Sequence, residues 1–410
     1  MPLNRVVITG RGAVSPFGPG VKVLSDSVRH GMSGVRIMDD WRRIGGLYSY
    51  LAAPVPALDP KDYLPRVIRR SMGDMALHAA IAAREAVDDA KISDHHLASG
   101  RTGVVIGSTT GSPETYENFY RMFLPQESME EVKSGFFFRI MGHSCAANVC
   151  LALGINGEQW APASACTSAA QALGLGYLLI KSGRQDIVLC GGADETHHTV
   201  TMVFDILKAA SRCHDAPLAT PRPFDVHRDG VVCGAGSGIL ALESLDSALA
   251  RKAEIYCELL GFGHVTDSTH IANPHEDSMG RAMRQALDEA GLEADKIDYV
   301  NAHATGTLQG DAAEAIAIHN IVGSNVPVSS FKGHIGHTLG AAGALETVIL
   351  LEMMQRQEIF PTLHLDHPDP MCGGINLVRE LQSHKIDTVL KNNFALGGVN
   401  AALVLRRWQQ

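Results

Sequence analysis

An apolar strand running into closely spaced glycines occurs twice in this chain, as Arg5-Val-Val-Ile-Thr-Gly-Arg-Gly-Ala-Val-Ser15 and as Glu258-Leu-Leu-Gly-Phe-Gly-His-Val-Thr266. Each reads as a strand entering a glycine turn. Three further pairs follow in the same order. Thr102–Gly111 matches Ile297–Gly306, each a strand delivering a small-residue loop. The helical stretch from Ser168 to Lys181 matches the one from Thr338 to about Gln357, and Gly236–Glu243 matches Gly397–Leu405 as a closing strand. A duplicated α/β unit accommodates this order, with its seam near residues 245 to 255 and halves at 1–250 and 251–410. Glycine turns and short strands look alike in any α/β protein, so the pattern alone leaves duplication and coincidence both open.

Helix-period stretches at 72–90, 279–290 and 311–320 lie between these anchors, so strands alternate with helices as a mostly parallel α/β design requires. The segment from Ser108 to Arg139, aromatic and mixed in charge, reads as an excursion that covers a site or builds a dimer contact. With 410 residues, 45% of them hydrophobic, the chain can bury a core of two or three domain-sized units. Its net charge of −9 gives no global attraction for nucleic acid or anionic lipid, so an acidic partner must meet a local basic patch. No apolar run approaches the roughly 18 residues that span a bilayer, and no signal core follows the first residues, so no membrane insertion and a cytoplasmic location are expected.

The chemistry gathers in three short segments: Ala163-Ser-Ala-Cys166-Thr-Ser-Ala169, Asn301-Ala-His303-Ala-Thr-Gly-Thr307 and Lys332-Gly-His-Ile-Gly-His337-Thr-Leu-Gly-Ala-Ala-Gly343. Cys166 opens an apolar helix in a collar of small residues, a setting expected to lower its pKa and expose a thiolate. The other seven cysteines show no metal or disulfide spacing and read as inert buried thiols. His303 follows an apolar strand, and His337 lies between Gly336 and a glycine- and alanine-rich helix. A thiol and two imidazoles in loop settings point to acyl transfer with carbon–carbon bond formation. His197 and His198, beside Asp194 and Glu195, raise the question of a metal; read on a strand, adjacent ligands point apart, and no metal is expected.

Together these motifs resemble the elongating β-ketoacyl-acyl-carrier-protein synthases of the thiolase superfamily, from the first strand to the last. The resemblance implies a thiolase-like α/β fold, two similar βαβαβαββ halves forming a layered αβαβα structure. It assigns Cys166 as the nucleophile that carries the acyl chain, and His303 and His337 to malonyl decarboxylation and the enolate oxygen. His337 also supports the thiolate, Lys332 holds charge and geometry near the histidines, and Glu314 organises Lys332 and local water. Backbone N–H groups of Cys166 and Leu396 would form the oxyanion hole. Thr305 and Thr307 match the hydroxyl pair that bonds phosphopantetheine, and Thr110 matches a residue on the pocket floor. Phe204, Val231, Phe394 and Leu396 complete the expected substrate chamber. Arg66, Arg69, Arg70 and Lys208 are the expected basic docking patch for an acidic carrier protein.

The resemblance further implies no tightly bound cofactor, phosphopantetheine arriving on acyl carrier protein, acyl and malonyl thioesters as substrates, and a homodimer or a heterodimer with a chain-length partner. The reaction implied is decarboxylative condensation in fatty-acid biosynthesis. Three departures bear on it: Leu396 stands where the family has a gating phenylalanine, Val231 where it has a second aromatic, and Ala235 where it has glutamate. They leave open a specialised type II polyketide or aryl-polyene pathway. A non-catalytic chain-length subunit would lack the cysteine, an initiating synthase would carry asparagine for His337, and a thiolase would place a second cysteine near Phe394-Ala-Leu-Gly-Gly398.

Overall fold

The computed structural model describes residues 3–130 and 132–409. Residues 1 and 2 of the N-terminal reading, and residue 131 of the Ser108–Arg139 excursion, lie outside the described residues. The strands that build the main sheet are β1 (Val6–Ser15), β2 (Thr102–Gly107), β3 (Gln159–Trp160), β4 (Ile187–Asp194), β5 (Gly236–Ser244), β6 (Cys257–Thr266), β7 (Tyr299–Asn301), β8 (Pro327–Ser329), β9 (Asn376–Leu377), β10 (Thr388–Ala395) and β11 (Val399–Arg407). Helices that matter to the site are α1 (Arg66–Arg69), α2 (Asp74–Asp89), α3 (Pro113–Phe123), α4 (Ser168–Lys181), α5 (His198–Ile206), α6 (Glu276–Ala290), α7 (Leu308–Val322) and α8 (Ala342–Arg356).

The strand order is β9-β8-β7-β10-β11-β6-β1-β5-β4-β2-β3, with a short strand at Gly18–Pro19 attached to β1. β1 and β6 meet antiparallel at the centre, Val6 opposite Leu259. On each side the next two pairings are antiparallel and the outer ones parallel. The sheet is therefore mixed where the sequence suggested mostly parallel pairing. The closing strands β5 and β11 enter next to the opening strands and run against them, a placement that local periodicity does not encode.

The paired glycines are not turns. Both strands run on through them, with a register shift at Ile8/Gly10 in β1 and at Leu259/Gly261 in β6. A Cβ on Gly12 would collide with the Ala82 carbonyl of α2, and one on Gly263 with the Ala282 carbonyl of α6. Helix backbone lies directly on strand backbone there, and only glycine leaves the space.

Three large apolar cores result among the described residues. One holds α2 against the sheet through Ala79, Ala83, Val104 and Ile239. Another holds α6 through Met283, Ala286, Val300 and Leu390. Between them Leu173 and Tyr177 of α4 and Val348 and Ile349 of α8 pack with Leu240 and Leu403 from the inner sheet faces. The layers run helix, one half of the sheet, inner helices, the other half of the sheet, helix, the five layers expected of a thiolase-like fold. The two inner helices are apolar over most of their circumference because most of their residues are buried. Among the described residues no single helix is long and apolar enough to cross a membrane.

Candidate active site

The three segments converge where the inner helices begin. Cys166 sits in a 3-10 turn, Ala165–Thr167, that feeds α4, and Ala165 takes the left-handed φ of 49° that L-residues avoid. Strain of this kind persists only where surrounding structure enforces it, and here it sets the thiol at the mouth of the helix. Backbone bonds strap His337 in place: its N–H donates to Val232 O at 2.7 Å and its carbonyl accepts from Gly234 N at 2.7 Å. Its Nε2 lies 2.9 Å from Cys166 Sγ. His303 follows β7 and meets His337 edge to face, ring centroids 5.1 Å apart. One ligand atom from each of the three residues falls within 4.8 Å of the other two.

Burial governs the electrostatics. It pushes the Cys166 thiol up to about 12, while the nearby Lys332 ammonium and the N–H groups of Cys166 and Leu396 pull the other way and Asp194 adds to the rise. The lowered thiol expected from a helix N-terminus is therefore corrected. The dipole acts, but loss of water around a fully buried sulfur outweighs it. Both imidazoles are driven well below the usual histidine range by burial, and then by the Lys332 and Lys391 ammoniums. They are neutral hydrogen-bonding groups at physiological pH.

Those ammoniums belong to a buried cluster that sequence reading assigned only in part. Lys332 and Lys391 both pair with Glu346 of α8, all three side chains fully buried. Burial raises the Glu346 pKa, but the two lysines hold it below the usual carboxylate range. Lys332 Nζ also donates to the His303 carbonyl at 3.0 Å. Glu314, expected to organise Lys332 and local water, makes no bond to Lys332 among the described residues. Glu314 instead accepts from the backbone N–H groups of His303 at 2.8 Å and Ala304 at 2.7 Å, fixing the loop that presents the imidazole. Burial brings its carboxyl up to about 7. Asn393, also missed, places Nδ2 3.4 Å from His303 Nδ1, a long contact on the edge of hydrogen bonding.

Two cavities open from the sulfur. One of about 460 Å³ is lined by Cys166, His303, His337, Thr305, Thr307, Val231, Phe204, Lys208, Phe394 and Leu396. Thr305 and Thr307 hydroxyls lie 3.3 Å apart there. A second, of about 180 Å³, runs behind Cys166 and is lined by Thr110, Val200, Val203, Phe204, Leu339 and Leu396 among others. Cys166, Phe204 and Leu396 border both. Of the expected docking residues Lys208 alone lines either of these two cavities; Arg66 and Arg70 are exposed at α1, and Arg69 is half-buried.

His197 and His198 do not lie on a strand. His197 caps α5 and His198 is its first residue, so their rings come together with centroids 4.0 Å apart. Asp194 and Glu195 turn elsewhere. Asp194 accepts from Ser108 Oγ at 2.8 Å and Gly340 N at 2.6 Å, and Glu195 from Ser112 Oγ at 3.0 Å.

Comparison with known proteins agrees along the whole chain. Residues 3–248 match the family described as beta-ketoacyl synthase, N-terminal domain, and residues 256–366 its C-terminal domain. The chain is 32% identical over 409 residues to 3-oxoacyl-[acyl-carrier-protein] synthase 1 of Haemophilus influenzae, covering 99% of this chain and 100% of that one. A crystal structure of a beta-ketoacyl synthase from Burkholderia phymatum superimposes with a TM-score of 0.96 at 41% identity, over 99% of this chain and 100% of the other. The ishigamide ketosynthase/chain length factor gives a TM-score of 0.92 at 32% identity, again over 99% and 100% of the two chains.

Proposed function

The chain belongs to the β-ketoacyl synthase family, and on that premise we propose that it condenses a Cys166-bound acyl group with malonyl-acyl-carrier protein, releasing carbon dioxide and a β-ketoacyl product. The single observation that carries the reading is the 2.9 Å contact between Cys166 Sγ and His337 Nε2, with His303 completing the trio.

Burial raises the Cys166 thiol and so disfavours a free thiolate before the donor arrives. The proton therefore leaves as the new bond forms. His337 Nε2 takes it from Sγ while sulfur attacks the donor thioester carbonyl, and returns it to the departing phosphopantetheine thiolate. The N–H groups of Cys166 and Leu396 receive the carbonyl oxygen as it becomes negative, a contribution of about 3 to 4 kcal/mol for a well-placed donor. In the second step neutral His303 donates to the malonyl thioester oxygen, and His337 joins it in the tautomer that carries the proton on Nε2. The C–C bond to the carboxylate breaks, its electron pair forms the enolate, and the enolate carbon attacks the acyl-Cys166 carbonyl. Cys166 leaves as thiolate and takes up one proton from solvent, the proton that the overall reaction consumes. Lys332 and Lys391 support this step by keeping the imidazoles neutral.

Thr305 and Thr307 in the larger cavity offer hydroxyls to the phosphopantetheine arm, while the smaller cavity, floored near Thr110, takes the acyl chain. Lys208 at the cavity, with Arg66, Arg69 and Arg70, receives an acidic carrier protein. The enzyme works in the cytoplasm as a homodimer or beside a chain-length partner, without a tightly bound cofactor. Residues 1–250 and 251–410 are two copies of one unit, a reading supported by the mirrored strand order and glycine contacts.

A second reading concerns the starter. Leu396 stands between the two cavities in the place of a ring, which favours an unsaturated or aryl-capped chain in a specialised pathway over saturated housekeeping substrates. Intact-mass analysis after exposure to saturated, unsaturated and aryl-primed acyl-carrier thioesters tests both readings. A Cys166-dependent adduct that malonyl-carrier protein discharges as a product two carbons longer is expected. An adduct that persists in Cys166→Ala overturns the mechanism, and preference for saturated chains overturns the specialised starter.

A further inference from the structure

Helix α3 and helix α5 come together away from the thiol, and their contact is built from metal-ligating groups. Glu117 of α3 places Oε2 2.9 Å from His197 Nε2 and 3.2 Å from His198 Nε2. All three ligand atoms lie within 4.8 Å of one another. Zinc bonds of about 2.0 to 2.1 Å put tetrahedral ligand atoms roughly 3.3 Å apart. Two of the three separations are within a few tenths of an ångström of that value. We infer that Glu117, His197 and His198 bind a divalent first-row transition ion that clamps α3 to α5, with Glu114 or water in the fourth position.

The surroundings are those of a ligand set. His197 is buried and its Nδ1 faces Thr199, 2.7 Å from Oγ1 and 3.4 Å from the backbone N that it caps; ion binding selects the tautomer in which Nδ1 donates to Oγ1 and Nε2 is bare. The His198 ring is met edge-on by Trp41, centroids 6.4 Å apart. Arg121, the cation nearest the carboxylate, bonds the other oxygen, Oε1, and leaves Oε2 to the histidines. Glu114 Oε2 lies 3.6 Å from His197 Nε2 on the exposed side, where its side chain is 63% accessible, so an ion has an entry path. Two imidazoles and a carboxylate suit zinc, cobalt, nickel or copper, and suit magnesium or calcium poorly.

The position gives the ion a consequence. Thr199, Val200 and Val203 of α5 and Pro113 of α3 line the smaller cavity behind Cys166. Joining the two helices fixes the wall against which a bound chain would lie. This inference does not depend on the condensation chemistry, since its observable is metal binding.

The test is titration of chelator-stripped full-length protein with Co²⁺, followed by visible absorption, with competition by Zn²⁺. Cys166, His303 and His337 form a second constellation able to hold an ion, so Cys166→Ser serves as the background that removes its thiolate. One equivalent of Co²⁺ with visible bands of low-coordinate nitrogen and oxygen ligation, and no thiolate charge-transfer band, is expected in Cys166→Ser. Glu117→Gln and His198→Gln should each weaken binding by at least about a hundredfold, because even outer residues around such sites cost roughly 10- to 100-fold. Zn²⁺ should raise the unfolding midpoint of Cys166→Ser but not of the two ligand variants. Far-ultraviolet circular dichroism matching wild type shows that the variants are folded. Binding that vanishes in Cys166→Ser, that persists undiminished in both folded ligand variants, or that needs millimolar ion overturns the assignment.

Discussion

Helices α4 and α8 are entered through the same device, a 3-10 turn whose first residue has a positive φ, 49° at Ala165 and 52° at Leu339. The next residue is Cys166 in one turn and Gly340 in the other. The N–H of Gly340 is occupied by the Asp194 carboxylate at 2.6 Å, and a Cβ there would lie 2.7 Å from Asp194 Oδ2 and 2.9 Å from Thr109 N. Cys166, by contrast, faces both cavities. One helix start is sealed by a carboxylate and the other is left for an incoming carbonyl. Two helix starts of the same geometry thus supply two equivalent backbone positions, and the side chains around them decide which becomes reactive.

Making the open start resemble the sealed one should have the largest effect. Cys166→Gly should abolish the acyl adduct and reduce condensation by more than about a thousandfold, since the group that forms the intermediate is gone; intact mass and product formation read it. The sealed start makes its own prediction. Burial raises the Asp194 carboxyl from 3.8 to about 6, so the folded state holds that proton more tightly than the unfolded state. Its penalty to folding is absent below pH 4, builds between pH 4 and 6, and is complete above. The stability of Asp194→Asn relative to wild type should therefore rise by roughly 2 to 3 kcal/mol across that window, measured by denaturant unfolding at each pH.

How far the sequence reveals these differences depends on whether a residue's neighbours are local. Cys166, His303 and His337 announce themselves through flanking small residues and a following helix or preceding strand. Glu346 and Lys391 do not: each sits in an apolar run, Ala342–Arg356 and Thr388–Ala395, and meets its partner only in three dimensions. An acid and a lysine inside such runs were the available signal, since neither is buried without a partner. Glu314 borders the larger cavity, but its partners are the backbone N–H groups of His303 and Ala304, contacts that a local reading does not foresee. The paired histidines were misjudged because a helix start was read as strand, which turns converging rings into diverging ones. The layers and the order of paired segments were legible; the antiparallel centre of the sheet was not.

Two smaller effects sharpen the comparison. Lys332→Met removes a cation that adds to burial in depressing both imidazoles, so their pKa should rise and the acid limb of kcat should move to higher pH. Leu396→Phe restores a ring at the junction of the cavities. It should shift acyl-chain preference by a few-fold at a stability cost under about 1.5 kcal/mol, read by donor profiling and thermal unfolding.

The most direct test separates the two half-reactions in His303→Ala and His337→Ala, following Cys166 acylation by intact mass and carbon dioxide release from malonyl-carrier protein. Because only His337 touches the sulfur, His303→Ala should acylate within a few-fold of wild type while decarboxylation falls by about 10²- to 10³-fold, and His337→Ala should lose both. Equal loss of acylation and decarboxylation in His303→Ala, or full acylation in His337→Ala, would contradict the division of labour proposed for the open helix start.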